Sequence, residues 1–146
     1  MIYLISRIDE QAHSHNIAIA NIVSEVYNHK VFVPHLHNPY NIPHNKMEYK
    51  TFKTDLTKMK ESSMGVIALP VGNDCSGEIG WFAGNNKAVI SIIKSTEYMS
   101  SADQIESLSS MWMIKGFIDE VVVFNEHDQL VLLNDPILKD KVTLWL

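Results

Sequence analysis

Two uninterrupted apolar runs joined through a polar turn and a helical stretch constrain this chain more than any other feature. They lie in Val66-Ile-Ala-Leu-Pro-Val-Gly-Asn-Asp74-Cys-Ser-Gly-Glu78-Ile-Gly80-Trp-Phe-Ala-Gly-Asn-Asn-Lys-Ala-Val-Ile90. A strand covered on both faces reads as a continuous apolar run, and such strands belong to parallel sheets. Parallel neighbours need a crossover, here the stretch read as a helix from Ser76 to Asn85. The spacing puts Glu78 in the first turn of that helix, at the mouth of a sheet. Free backbone N–H groups and the positive helix end there predict a carboxylate kept ionised.

The rest of the chain repeats the alternation. Ile2 to Ile5 is a short apolar strand ending at Ser6 and Arg7. Asp9 to His29 reads as a helix, with Ile19, Ile22, Val23 and Val26 at helical spacing. Lys30 to Val33 is a β-branched and aromatic strand stopped by Pro34. Positions 35–45 form a loop rich in Pro, Asn and His. Met47 to Ser62 is a second helix, with Tyr49, Phe52, Leu56 and Met59 along one face. Met64 to Leu69 and Lys87 to Ile93 are the two apolar strands. Ser101 to Lys115 is helical and stops at Gly116. Val121 to Phe124 is a fifth strand. The tail carries a short helix and an extended end, Val142 to Leu146. The expected architecture is α/β: a Rossmann/flavodoxin-like three-layer domain with a five-stranded, mostly parallel sheet in the order 2-1-3-4-5. No linker or repeat divides residues 1–146, so one domain is expected.

Composition narrows the classes. The chain has 146 residues, 46% of them hydrophobic and 20% charged, as in a globular domain. A net charge of −5 argues against nucleic acid and anionic membranes as partners. The lone cysteine, Cys75, permits no internal disulfide and fits a reducing cytoplasm. The opening Met-Ile-Tyr-Leu-Ile-Ser-Arg has a strand pattern rather than that of a signal peptide. No apolar run is long enough for a membrane span.

Ligands of such sheets bind at the carboxyl ends of the strands. That rule gathers Ser6-Arg7, the segment from Pro34, and Gly72 to Glu78. An ionised, positioned Glu78 suits covalent chemistry at a sugar carbon; it is also a common dipole-complementing residue. Asp74, Ser76 and Gly77 crowd the same turn. Gly77 allows close approach of a ligand to the backbone, and Ser76 or Asp74 is the expected N-cap. Asp55 borders the apolar face of its helix, either reaching water or serving a task. Tyr3 alternates with Ile2 and Leu4, as a core residue with a satisfied hydroxyl or as a site residue. Ser6 and Arg7 end the first strand, where a hydroxyl and a guanidinium suit a phosphate; Arg7 can equally pair with Asp9 or Glu10. His13, His15, His35, His37 and His44 lack the spacing of a ligand set, so no metal is expected. His35, directly after a strand, is a candidate substrate contact. Cys75 reads as a packing residue.

The pattern Asp74…Gly77-Glu78-Ile-Gly80…Lys87-Ala-Val resembles the nucleoside 2-deoxyribosyltransferase family and the related nucleotide N-glycoside hydrolases. Ile2-Tyr3-Leu4, Val31-Phe-Val-Pro34-His35, Phe52-Lys-Thr-Asp55-Leu-Thr-Lys-Met and Met113-Ile-Lys-Gly116 agree with it in order, up to about Phe124. The resemblance implies that Glu78 is the nucleophile on the anomeric carbon. Asp74 would orient the base or the sugar, or shuttle a proton to the departing base. Asp55 would orient the sugar and Glu78, or join that proton transfer. Tyr3 would hold Glu78. Cleavage or exchange of the N-glycosidic bond of a nucleoside would pass through a glycosyl-enzyme intermediate on Glu78, with a free nucleobase as product or acceptor and no cofactor.

The resemblance also implies a homo-oligomer with shared sites, which Trp81 and Trp112 would serve unless they pack in the core. The turn from Asp74 to Glu78 is shorter than in many members. Leu108-Ser-Ser-Met-Trp-Met-Ile-Lys115 has no asparagine where transferases lend an amide to the neighbouring site. Ser109 or Ser110, with Ser6, Arg7 and Ser76, would instead suit a 5′-phosphate. Hydrolysis of a nucleoside 5′-monophosphate is therefore the alternative within the same chemistry. A non-catalytic nucleotide-binding or sensing domain is the alternative of another class.

Overall fold

The computed structural model describes residues 1–37 and 44–131, with side chains from position 49 in the second segment. The chain alternates strands and helices: β1 (Ile2–Ile5), α1 (His13–Tyr27), β2 (Val31–Phe32), α2 (His44–Glu61), β3 (Met64–Ala68) and α3 (Asn73–Gly84). It continues with β4 (Ala88–Lys94), α4 (Ser101–Ser110), α5 (Trp112–Lys115), β5 (Glu120–Phe124) and β6 (Leu130–Val131). Single 3-10 turns, Glu10–Ala12 and Pro34–Leu36, precede α1 and follow β2.

The sheet has the order β2-β1-β3-β4-β5-β6. The first five strands are parallel and in the expected order, and the sixth is added antiparallel to β5. That sixth strand was not expected: Leu130 and Val131 are too few to give a period. The helix read from Ser101 to Lys115 breaks at Met111, whose φ/ψ of −102°/68° is non-helical. The tail helix and the extended Val142 to Leu146 lie outside the described residues.

Strand alternation sends side chains to two layers. Ile2 and Leu4 join Val66, Ala68, Ile90, Ile92, Val122 and Phe124 on the face packed by Ile19, Ile22 and Val23 of α1. Tyr3 and Ile5 join Ile67 and Leu69 on the other face, packed by Met59 of α2, Ile79 and Phe82 of α3, and Ile105 and Leu108 of α4. Tyr49 and Phe52 share the stripe of α2 with Met59, yet they are exposed, so the apolar face of α2 is buried only toward its end. Gly65 lets α3 lie close on β3: a Cβ there would meet Ile5 Cδ1 at 2.8 Å and Phe82 Cδ2 at 2.9 Å. Among the described residues no helix is long and apolar enough to cross a membrane.

Candidate active site

The loops leaving β1, β2, β3 and β4 meet at the carboxyl edge of the sheet. Asn16, buried at the start of α1, donates to the Arg7 carbonyl at 2.7 Å and bridges to His35 Nδ1 at 3.4 Å. The His35 ring stacks on His13 at 4.0 Å. His15 Nδ1 meets Thr96 Oγ1 at 2.7 Å in the loop after β4. Fully buried Gln104 clasps that loop, accepting from the Lys94 amide at 3.1 Å and donating to the Met99 carbonyl at 3.0 Å. Buried amides and rings thus fix the rim before any ligand arrives.

The leaving loop of β3 runs through a cis Leu69–Pro70 bond to Gly72, the N-cap of α3. The helix begins at Asn73, three residues earlier than its sequence suggests, because the Gly72 amide is taken by Cys75 Sγ at 3.4 Å. Neither Ser76 nor Asp74 is therefore the cap. Glu78 moves to the second turn, away from the free N–H groups. The carboxyl instead turns inward over the sheet, where Tyr3 Oη donates to its Oε1 at 2.7 Å.

This placement overturns the expectation that Glu78 is kept ionised. Burial pushes its carboxyl up to about 8; the Tyr3 hydrogen bond opposes the rise, while the charges of Asp55 and Asp74 add to it. The same burial, with Glu78 and Asp55 nearby, pushes the Tyr3 phenol far above its ordinary value, so it remains a donor. Cys75 is buried and its thiol is pushed up to about 12 by burial and by Glu78, which leaves it a packing residue.

Tyr3, Asp55, Asp74 and Glu78 are thus brought together from β1, α2 and α3. The other candidates divide. Ser76 and Gly77 lie on the exposed side of α3, and the space beyond Gly77 is open. Ser6 is buried, and among the described residues its Oγ has no hydrogen-bond partner. Arg7 is exposed and pairs with Asp9 at 2.8 Å. His35 is buried in the rim, where burial and then His13 lower its pKa. Ser110 is exposed at the end of α4, and its hydroxyl donates to the Ser107 carbonyl at 2.8 Å; Ser109 donates to Glu106 in the same way. Trp81 packs edge-on against Phe82 at 5.3 Å, whereas Trp112 is exposed. No three His, Cys, Asp or Glu side chains converge as a metal set among the described residues.

The sequence matches no family model and no curated protein. Solved structures do match. One is the 2-deoxyribosyltransferase of the psychrotolerant bacterium Bacillus psychrosaccharolyticus, with a TM-score of 0.60 at 18% identity, covering 82% of this chain and 83% of that one. The chain has the fold of a 2-deoxyribosyltransferase. On that fold the Tyr3–Glu78 pair stands where α3 crosses the second strand of the sheet order, next to the open carboxyl edge.

Sequence reasoning missed Gln104, Asn16 and the His13–His35 stack. A glutamine four residues after a serine N-cap is a signal in itself, since Ser100 Oγ takes the Asp103 amide and Gln104 then faces inward. The histidine stack has no such signal, because it joins the first residue of α1 to the 3-10 turn after β2, which are distant in sequence.

Proposed function

We propose that this protein transfers 2-deoxyribosyl groups between nucleobases, with Glu78 as the nucleophile. The observation that carries the reading is the half-buried Glu78 carboxyl held by the Tyr3 hydroxyl at 2.7 Å beside the charges of Asp55 and Asp74. Glu78 would attack the anomeric carbon as the C–N bond breaks and the base leaves with a proton. A second base would then take the sugar back from Glu78, retaining configuration through two displacements. The carboxylate beside Glu78 that does not carry the proton would favour the positive charge that develops on the sugar in each transition state. Asp55 or Asp74 would supply the proton to the departing base, a task for a group with a neighbouring carboxylate.

A carboxyl with a pKa of about 8 is only about one-tenth ionised at pH 7. Free-enzyme reactivity would therefore rise with pH through that value. Tyr3, which donates only to a lone pair, stays bonded as the proton leaves and favours the charged form.

The Ser6 hydroxyl at the exit of β1, unpartnered among the described residues, favours a second reading, in which a 5′-phosphate sits at that edge and water takes the sugar. Chromatography of each deoxynucleoside and each 5′-monophosphate, with and without an acceptor base, tests both. A new nucleoside formed only with acceptor supports transfer. Free base from monophosphates alone supports hydrolysis. Equal turnover by Glu78→Ala, or none by the unaltered chain, rejects the nucleophile and leaves a binding role.

A further inference from the structure

Lys87 stands at the end of the sheet opposite the open edge, immediately before β4. Its ammonium donates to the carbonyls of Met59, Lys60 and Ser62 at 3.0, 2.8 and 2.5 Å. Met59 and Lys60 lie in the last turn of α2, where carbonyls have no partner within the helix and a cation complements the dipole. The same ammonium lies 5.3 Å from the ring of Trp81 and 6.0 Å from that of Phe82 on α3. One charge therefore binds the end of one helix to the aromatic face of another.

Those two helices carry the carboxyl pair. Asp55 is about one turn before Met59 on α2, and Glu78 about one turn before Phe82 on α3. Phe82 also packs against the Tyr3 ring at 5.8 Å. We propose that Lys87 is a positioning residue of this site: it ties α2 to α3 and so holds Asp55 against Glu78 without touching either. The link to turnover rests on the transfer reading; the helix spacing is measurable without substrate.

The groups facing Glu78 are Tyr3 from β1, Asp55 from α2, and Asp74 and Cys75 from α3. Of these, Asp55 alone stands on the helix whose end Lys87 caps. Releasing α2 withdraws Asp55 and admits water, and both changes ease ionisation of Glu78. Tyr3, on the sheet, keeps its bond.

The test is a carbon-13 carboxyl NMR titration of the full chain, with Glu78→Gln used to assign the signal. In Lys87→Met and Lys87→Gln the Glu78 midpoint is expected to move acid by about one pH unit, while Lys87→Arg, which keeps charge, donors and stacking, stays within about 0.3 unit. On deoxynucleosides kcat is expected to fall about tenfold with KM changed less than about twofold. An unmoved midpoint in folded Lys87→Met or Lys87→Gln overturns the proposal. So does failure of both to fold, which would make Lys87 a requirement of the whole fold. A moved midpoint in a chain that turns over no nucleoside supports the positioning role and rejects the transfer reading. An unmoved midpoint in an active chain does the reverse.

Discussion

The two faces of the sheet receive alternate residues of the same strands and use them differently. Under α1, Ile2, Leu4, Val66, Ala68, Ile90 and Ile92 form one cluster with Ile19, Ile22 and Val23. Under α2 and α3, Tyr3 brings a hydroxyl and Glu78 a carboxyl into the layer of Ile5, Ile67, Leu69 and Phe82. The first face contributes stability without a carboxyl in its cluster. The second gives up some stability to hold a carboxyl where burial opposes its charge.

The sharpest way to break this contrast is Leu4→Ala. Removing a fully buried side chain from the α1 face should cost about 2–5 kcal/mol and leave the Glu78 titration unmoved. Chemical denaturation and carboxyl NMR read the two quantities separately, and a moved Glu78 midpoint would show that the faces are not independent.

Glu78→Gln should do the opposite. A carboxyl whose pKa rises from 4.5 to about 8 on folding stabilises the fold fully below pH 4.5 and loses that contribution as pH climbs toward 8. The variant removes this loss. Its melting temperature should exceed the parent's at pH 9, by an amount on the order of a few kcal/mol in stability, and the gap should close toward pH 5. A gap independent of pH would contradict the raised pKa.

Gly65→Ala places a methyl against Ile5 and Phe82 on the face that carries the site, and should cost about 1–3 kcal/mol. Unchanged stability in urea would mean that α3 shifts freely. The smallest effect is expected of Tyr3→Phe, which keeps the ring and loses the bond to Glu78. Stability should change by about 1 kcal/mol, and the alkaline rise in kcat/KM should move to higher pH by about one unit. A rise that moves to lower pH would reverse the assigned role of the hydroxyl.

The faces also differ in how far the sequence discloses them. Apolar runs such as Met64 to Ala68 state both their strand and its burial, so sheet order and layers follow from pattern alone. The side chains of the site are legible as a set: Tyr3, Asp55, Asp74 and Glu78 do come together. Their electrostatics are not. The start of α3 depends on a weak capping-box contact from the Gly72 amide to Cys75, where cysteine stands in place of the usual Glu or Gln signal, and a three-residue shift there takes Glu78 out of the first turn. Asp55 is ambiguous for another reason. Tyr49 and Phe52, which make its helix look apolar on one side, remain exposed, so the stripe says little about which neighbours are buried. The broken helix at Met111 is likewise invisible, since Ser110, Met111 and Trp112 carry no breaker.

The two-residue strands at either margin, β2 and β6, have a consequence for self-association. Long unpaired margins invite a second chain to continue the hydrogen-bond ladder, the route to fibres. Here each margin offers only two residues of template, and Pro34, which lacks an amide proton, follows one of them closely. Among the described residues the ladder thus gives an incoming strand little to read, and contacts between copies fall to helix surfaces such as the one bearing Trp112 and Met113.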